Sequence, residues 1–196
     1  TVRWTDDHCH LGHLELEDET AVRAALDAAA AEGVVRLVDV GTDVADSMAA
    51  ADRAARHPEV WATAGVHPHE ARIADEAVYD ELRGLAREGR IVAIGEVGLD
   101  FHYDHSPRDA QREAFRRQIR LAREVGLPIV VHTREADEET ADILEQEGAA
   151  EAGGVIHCFT GGLDLARRAL GLGFLISFSG IVAFPRAEVI QQVARE

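Results

Sequence analysis

The chain has 196 residues, with 20 Lys plus Arg against 36 Asp plus Glu, and its formal net charge is −16. Every basic residue is Arg, and the sequence contains neither Lys nor Asn. This charge excludes a protein that coats nucleic acid through a basic face. No apolar run approaches the roughly 18 residues that cross a membrane. Two cysteines are too few for a disulfide framework and fit a reducing compartment, so we expect a globular, cytoplasmic protein without a membrane segment.

A short apolar run, a turn and an Ala-rich amphipathic stretch alternate along the chain, which predicts alternating strands and helices. The runs are rich in β-branched residues and nearly continuous, as in parallel strands that are covered on both faces. Ser106 is expected to cap one helix, with Pro107 at its first position. The predicted strands begin at Trp4 and then occupy residues 34–40, 60–66, 91–97, 128–132, 154–157 and 174–178, and four predicted helices end at Gly33, Gly89, Gly126 and Gly148.

Seven predicted strands alternate with seven helices, the last of which starts near Pro185. A (β/α)8 barrel usually needs about 250 residues. We therefore expect an α/β fold of the TIM-barrel type, a single domain over residues 1–196 that lacks the eighth β/α unit. The competing architecture is an open doubly wound sheet, which often carries a Gly-rich phosphate turn after its first strand. In this chain the first strand ends in histidines instead.

Metal-ligating residue types cluster at the carboxyl ends of the predicted strands, the edge where barrel enzymes build their sites. His8 and His10 can bind one metal ion together, because residues i and i+2 of an extended chain project to the same side. Glu96, His132 and His157 lie at the carboxyl ends of the fourth, fifth and sixth predicted strands. A single histidine would more often be a packed core residue, but four histidines and one glutamate at one barrel mouth favour a metal site.

Six motifs occur in order along the chain: HCHL at residues 8–11, GVHPH at 65–69, GEVGLD at 95–100, VHTREA at 131–136, HCFTG at 157–161 and SFSGI at 177–181. Together they resemble the motifs of the TatD-type metal-dependent deoxyribonucleases, a branch of the amidohydrolase-like barrels. The resemblance covers the whole chain.

The resemblance implies two divalent metal ions. In that family the residues similar to His8 and His10 hold one ion, the residue similar to Glu96 bridges both, and those similar to His132 and His157 hold the second. An Asp from a Thr-Asp motif after the eighth strand normally completes the first site, and this sequence stops before that motif. Phosphotriesterase-like and urease-like barrels use a carbamylated Lys as the bridge instead. A chain without Lys cannot form that bridge, which leaves Glu96.

Two divalent cations about 3.5–4 Å apart lower the pKa of a bridging water and stabilise charge on phosphoryl oxygens. They would also attract a phosphate locally to an acidic chain. Histidine and carboxylate ligands suit Zn²⁺, Mn²⁺ or Mg²⁺. We expect His67 to assist catalysis by donating to a phosphate oxygen, and Arg134 to clamp the phosphate. His69 is expected to face the substrate or support a ligand, and Asp100 to orient a ligand histidine.

The favoured function is cleavage of phosphodiester bonds at single-stranded or frayed DNA ends, because a net charge of −16 leaves little surface to hold a duplex along its length. One alternative is a metal-dependent deacylase or amidohydrolase that acts on an ester or amide, for example charged RNA. Another is a non-catalytic incomplete barrel, whose unpaired strand edges would aggregate or recruit another chain. No obligate protein partner is evident.

The remaining conspicuous side chains have ordinary interpretations. His13, His57, His102 and His105 lie in predicted loops or at a helix end, and most are expected to be solvated. Trp61 begins a predicted strand and is expected to pack in the core or at the bottom of the barrel. Because only 5% of the residues are aromatic, an extended groove for stacking single-stranded bases is not apparent.

Overall fold

Seven parallel strands form one curled sheet in chain order. The computed structural model describes residues 2–14, 16 and 18–196. The strands are β1 (Trp4–Cys9), β2 (Val34–Val40), β3 (Val60–Ala64), β4 (Ala93–Asp100), β5 (Ile129–Arg134), β6 (Gly154–Ile156) and β7 (Leu175–Ile176), each hydrogen-bonded to the next. The helices are α1 (Glu19–Ala31), α2 (Val44–Arg56), α3 (Glu76–Arg87), α4 (Arg108–Val125), α5 (Asp137–Gln146), α6 (Leu163–Gly171) and α7 (Glu188–Val193).

Every strand is followed by a helix, and every strand pair is parallel. The sheet curls so strongly that the His8 ring on β1 stacks on the His157 ring just after β6, with ring centroids 3.3 Å apart. This confirms the predicted TIM-barrel type, with seven of the eight β/α units. In the part of the chain that the structure describes, no helix is both long and apolar enough to span a membrane.

Burial differs along the sheet. All eight residues of β4 are buried, as the continuous apolar pattern predicts for a central strand. In contrast, the first four residues of β1 are exposed. Among the described strands β1 pairs only with β2, so its apolar residues lack a second neighbour. The main core lies between the sheet and helices α2 to α6, and a smaller cluster that includes Leu26 and Leu37 covers β1 and β2.

Two predicted strand ends differ from those in the structure. The third run was expected to continue to Val66, but β3 ends at Ala64. There the Gln118 side chain on α4 accepts from the Val66 N–H at 2.7 Å and donates to its carbonyl at 3.0 Å. The fourth run was expected to end at Val97, but β4 continues to Asp100, which lies opposite Arg134 of β5. The glycine ends of helices are confirmed, as at Gly126, whose φ of 69° closes α4.

The start of α4 differs from the prediction by one residue. Pro107, with ψ of 136°, occupies the cap position, and the helix begins at Arg108. Ser106 does not cap the helix with its side chain. Its hydroxyl instead donates to the His69 carbonyl at 2.6 Å and accepts from the Arg72 N–H at 3.2 Å. Ser106 therefore fixes the short 3-10 helix Pro68–Ile73 that follows β3.

Arginines on α4 join the outer helices through carboxylates. Arg116 and Arg120 both donate to Glu147 just beyond α5, with nitrogen–oxygen distances of 2.7 to 2.9 Å. Arg112 and Arg123 contact Glu139 and Glu151 in the same way. Much of the arginine in this acidic chain therefore lies in ion pairs on its outer surface.

Replacing Glu147 by Gln should lower the free energy of unfolding by about 1 kcal/mol, because a carboxylate that serves two guanidinium groups loses its charge. The Arg120 hydrogen bond lowers the pKa of Glu147 in the folded state. The carboxylate therefore stabilises the fold above its unfolded pKa, and this contribution is lost as the pH falls and Glu147 protonates. Urea denaturation at pH 7 and at pH 3.5 measures both effects. Glu81→Gln is the matched control, since exposed Glu81 has no ion pair with a described residue. An equal change in both variants at pH 7 would contradict this assignment.

Candidate metal centre

Glu96 lies at the centre of a histidine cluster at the carboxyl end of the sheet. Its side chain on β4 is only 4% exposed. One carboxylate oxygen, Oε2, lies 3.2 Å from His8 Nε2 and 3.7 Å from His10 Nε2. The other oxygen, Oε1, lies 2.9 Å from His132 Nδ1 and 3.8 Å from His67 Nε2. The two oxygens of one carboxylate thus face two separate pairs of histidines.

The cluster forms because its members stand at neighbouring strand ends. His8 belongs to β1 and His10 follows it directly, while His67 and His157 come after β3 and β6. The His8 and His10 rings converge, with their Nε2 atoms 3.1 Å apart. His10 Nδ1 lies 3.0 Å from the Val40 carbonyl, which accepts its proton and leaves the His10 Nε2 lone pair free for a metal ion.

Two groups of potential ligand atoms share Glu96. His8, Glu96 and His157 form one group, and His67, Glu96 and His132 form the other, with the donor atoms of each group within 4.8 Å of one another. This division differs from the one that the family resemblance implies, in which His8 goes with His10 and His157 goes with His132. The His8 ring stacks on the His157 ring, and this contact places His157 in the group of His8 instead of the group of His132.

The donor set fits divalent metal ions. Buried imidazole nitrogens and a shared carboxylate are ligands that Zn²⁺ and Mn²⁺ accept. The Nδ1 atoms of His8 and His157 are buried and have no hydrogen-bond partner among the described residues, which is costly for a polar atom. Burial and the neighbouring His8 lower the pKa of His157 to about 4, so its ring is neutral and able to ligate at pH 7.

The hydrogen bonds of His67 assign its tautomer. The backbone N–H of His69 donates to His67 Nδ1 at 3.2 Å, so that nitrogen carries no proton. Burial lowers the pKa of His67 to about 3, which keeps the ring neutral. The proton of the neutral ring must therefore sit on Nε2, the atom that faces the centre of the cluster. In this tautomer His67 is a hydrogen-bond donor and not a metal ligand.

His132 is held between two carboxylates. Its Nδ1 faces Glu96, and its Nε2 lies 3.2 Å from Asp100 Oδ2. Burial alone would lower the pKa of His132, but the hydrogen bonds to Asp100 and Glu96 outweigh it and raise the pKa to about 9. The hydrogen bonds of Glu96 with His132 and His8 hold the pKa of Glu96 well below its usual range, although burial alone would raise it. In the protein without metal, His132 therefore carries a proton that a bound cation would displace.

Asp100 connects the cluster to the loop after β4. Its Oδ2 atom also lies 3.0 Å from His69 Nε2, and its Oδ1 accepts from the backbone N–H groups of His102 and Tyr103 at 3.0 and 2.8 Å. Burial alone would raise the pKa of Asp100, but the hydrogen bonds with His132, the Tyr103 N–H and His69 lower it below the usual range. One carboxylate thus contacts two site histidines and fixes the adjoining loop.

Arg134 is the last residue of β5 and is exposed. Its guanidinium carbon is 5.2 Å from the centre of the Tyr103 ring, and it has no ion pair with any residue that the structure describes. His13, His102 and His105 are exposed, as expected, but His13 also stacks on His10 with centroids 4.9 Å apart. His57, at the carboxyl end of α2, is the exception among the four, because it is buried and contacts Glu19 at 2.6 Å.

Known proteins resemble this chain over most of its length. The sequence model of the family "TatD related DNase" matches residues 5–196. A Bacillus subtilis protein named uncharacterized metal-dependent hydrolase YabD is 39% identical over 191 residues, which are 97% of this chain and 74% of that protein. A Rahnella protein named 3'-5' ssDNA/RNA exonuclease TatD is 41% identical over 155 residues, 79% of this chain and 59% of that protein. The crystal structure of YJJV, a TatD homolog from Escherichia coli K12, superposes with a TM-score of 0.88 at 27% identity, covering 97% of this chain and 73% of that one.

Proposed function

The chain belongs to the TatD-related DNase family of metal-dependent hydrolases, and from that premise we propose that it cleaves phosphodiester bonds at single-stranded or frayed DNA ends. The observation that carries the proposal is the buried Glu96 carboxylate, which faces the potential ligands His8 and His10 with one oxygen and the potential ligand His132 with the other. A carboxylate shared between two ligand groups is the arrangement that suits two adjacent divalent cations.

His8, His10, Glu96, His132 and His157 are the residues that would hold the metal ions. Bound divalent cations would supply an activated water and would stabilise negative charge on the phosphoryl oxygens. Zn²⁺, Mn²⁺ and Mg²⁺ remain the candidates, since imidazole and carboxylate ligands suit all three. His10 is kept in the ligating tautomer by the Val40 carbonyl. Asp100 positions His132 from the side opposite Glu96.

His67 would donate its Nε2 proton to a phosphate oxygen. The tautomer argued above points this proton toward Glu96, and the low pKa keeps the ring from becoming a competing cation. A preorganised donor in a buried site stabilises charge that develops in the transition state more than a solvated donor does. Arg134, exposed at the rim and free of ion pairs among the described residues, would clamp the phosphate of an incoming strand.

The charge distribution supports recognition of an end instead of a long duplex. The net charge is −16, and four of the six arginines of α4 are engaged with Glu139, Glu147 and Glu151 on the outer layer. A duplex needs a continuous basic surface. Cations bound at the strand ends would attract one phosphate without such a surface. Both cysteines, Cys9 and Cys158, are free, which agrees with a reducing compartment, and we place the activity in the cytoplasm.

Product analysis tests the proposal. The purified protein with Mg²⁺, Mn²⁺ or Zn²⁺ is incubated with oligonucleotides labelled at either end, both single-stranded and duplex, and with an RNA that carries an ester-linked acyl group. We expect nucleotides to be released from single strands faster than from blunt duplexes. If the acyl group were released while the phosphodiester bonds stayed intact, the protein would be a deacylase and not a nuclease. Failure to cleave any of these substrates with any of the three metals would refute both.

A further inference from the structure

Aromatic and imidazole rings gather on the rim beside the candidate metal centre. Tyr103 lies in the loop between β4 and α4 and is 52% exposed. The His105 ring is parallel to it within 1°, with centroids 5.7 Å apart. The edges of His69 and His102 meet Tyr103 at 5.7 and 4.7 Å. The Arg134 guanidinium lies over the same ring at 5.2 Å. The low aromatic content of the sequence gave no indication of this local cluster.

The position of Tyr103 is fixed by the site itself. Its backbone N–H donates to Asp100, whose other oxygen contacts both His69 and His132. The His69 ring lies between Tyr103 and His132, with centroids 5.7 and 6.4 Å from theirs. Ser106 holds the His69 carbonyl from the other side of the loop. The exposed ring is therefore attached to the metal centre through a single carboxylate and is separated from His132 by one imidazole.

We propose that Tyr103, with His105 and Arg134, forms a stacking subsite for a nucleobase of the substrate next to the scissile phosphate. A nucleobase is a flat π-system, and an exposed tyrosine ring binds it whatever its sequence. A guanidinium over the ring stacks well on such systems and can also reach a neighbouring phosphate. The subsite rests on the proposed nuclease function. Stacking on an aromatic ring would bind a single strand without a basic surface, which this acidic chain lacks.

Comparison of normal and abasic substrates tests this subsite. Single-stranded oligonucleotides are prepared with natural bases throughout or with tetrahydrofuran abasic residues at the two positions nearest each end. For the wild-type protein with its metal, kcat/KM should be about tenfold higher with bases present, within the range of one base–aromatic stack. In Tyr103→Ala the two substrates should be cleaved at nearly equal rates. Tyr103→Phe should keep the wild-type ratio, because the ring and not the hydroxyl stacks.

A matched control lies at the other end of the sheet. Trp61, near the start of β3, is also an exposed aromatic residue, 40% exposed, with the Arg36 guanidinium 4.9 Å from its ring centre. Trp61→Ala should keep the tenfold preference for bases. A binding readout uses 2-aminopurine at the strand end in the Glu96→Gln background, where cleavage is slow. Its fluorescence should be quenched on binding when Tyr103 is present and not in the double variant Glu96→Gln/Tyr103→Ala.

The possible failures separate the two proposals. Cleavage by the wild type without a preference for bases would overturn the subsite and leave the nuclease function intact. An unchanged preference in Tyr103→Ala, or its loss in Tyr103→Phe, would likewise overturn the stacking role of this ring. Absence of any cleavage by the wild type would instead refute the proposed function on which the subsite rests.

Discussion

Glu96→Gln should reduce phosphodiesterase activity by about a thousandfold, because the carboxylate would hold the cations that stabilise negative charge in the transition state. Glutamine keeps the volume of the side chain but has no negative charge to share between two ligand groups. Its amide nitrogen would also point a donor at either His8 or His132, both of which lie within 3.2 Å of the present carboxylate. The charge of one residue therefore serves both halves of the site.

Metal binding separates this effect from misfolding. Isothermal titration with Mn²⁺ should show weaker binding in Glu96→Gln than in the wild type, while circular dichroism of the two proteins should agree. Glu147→Gln is the matched control, because it neutralises another largely buried carboxylate, 9% exposed, on the outer helices. That variant should bind Mn²⁺ as the wild type does. If Glu96→Gln kept the activity and the Mn²⁺ affinity of the wild type, Glu96 would not be a metal ligand.

Gly98→Ala should destabilise the fold by about 4 kcal/mol or more, from overpacking together with backbone strain. Gly98 on β4 has φ of 138°, a conformation that residues with a side chain rarely adopt, and it pairs with His132 of β5. An added Cβ would overlap the His132 carbonyl oxygen, a main-chain atom that cannot turn aside. Because total stabilities are about 5–15 kcal/mol, the substitution would remove a large share of the free energy of unfolding.

Substitution of a second glycine provides a control for which the expected change in the free energy of unfolding has the opposite sign. Gly84 lies inside α3, and an added Cβ there meets nothing within 4 Å. Gly84→Ala should raise the free energy of unfolding by up to about 1 kcal/mol, because alanine restricts the unfolded chain and favours the helix. Urea denaturation of both variants measures the difference. Equal midpoints for Gly98→Ala and the wild type would mean that β4 and β5 do not approach as closely as described.

The order of elements could be predicted from the sequence because each strand and each helix has a local signature. The β-branched runs and the glycine ends of helices place all seven β/α units in the correct order. The strand ends could not be predicted, since they depend on partners distant in the chain. Gln118 takes the hydrogen bonds of Val66 from 52 residues away, and Leu99 and Asp100 continue β4 only because β5 lies alongside.

The convergence of the site histidines on Glu96 was predictable from the sequence, but the arrangement of their side chains was not. The strand-end position of each histidine places it at one edge of the sheet, and the absence of Lys leaves Glu96 as the candidate bridge. The rotation of each ring depends on contacts between strands. The stack of His8 on His157 and the bond from the His69 N–H to His67 Nδ1 have no counterpart in local sequence.

Local motifs and periodicity are sufficient to predict the fold class, the family and the edge of the sheet at which the histidines and Glu96 gather. Contacts between residues distant in the chain set which histidines face each oxygen of Glu96, which proton His67 carries and where Tyr103 lies. These features follow from the curl of the sheet and from loop hydrogen bonds to Asp100. The net charge of −16 is a property of the sequence alone, and it argues against broad contact with a polyanion.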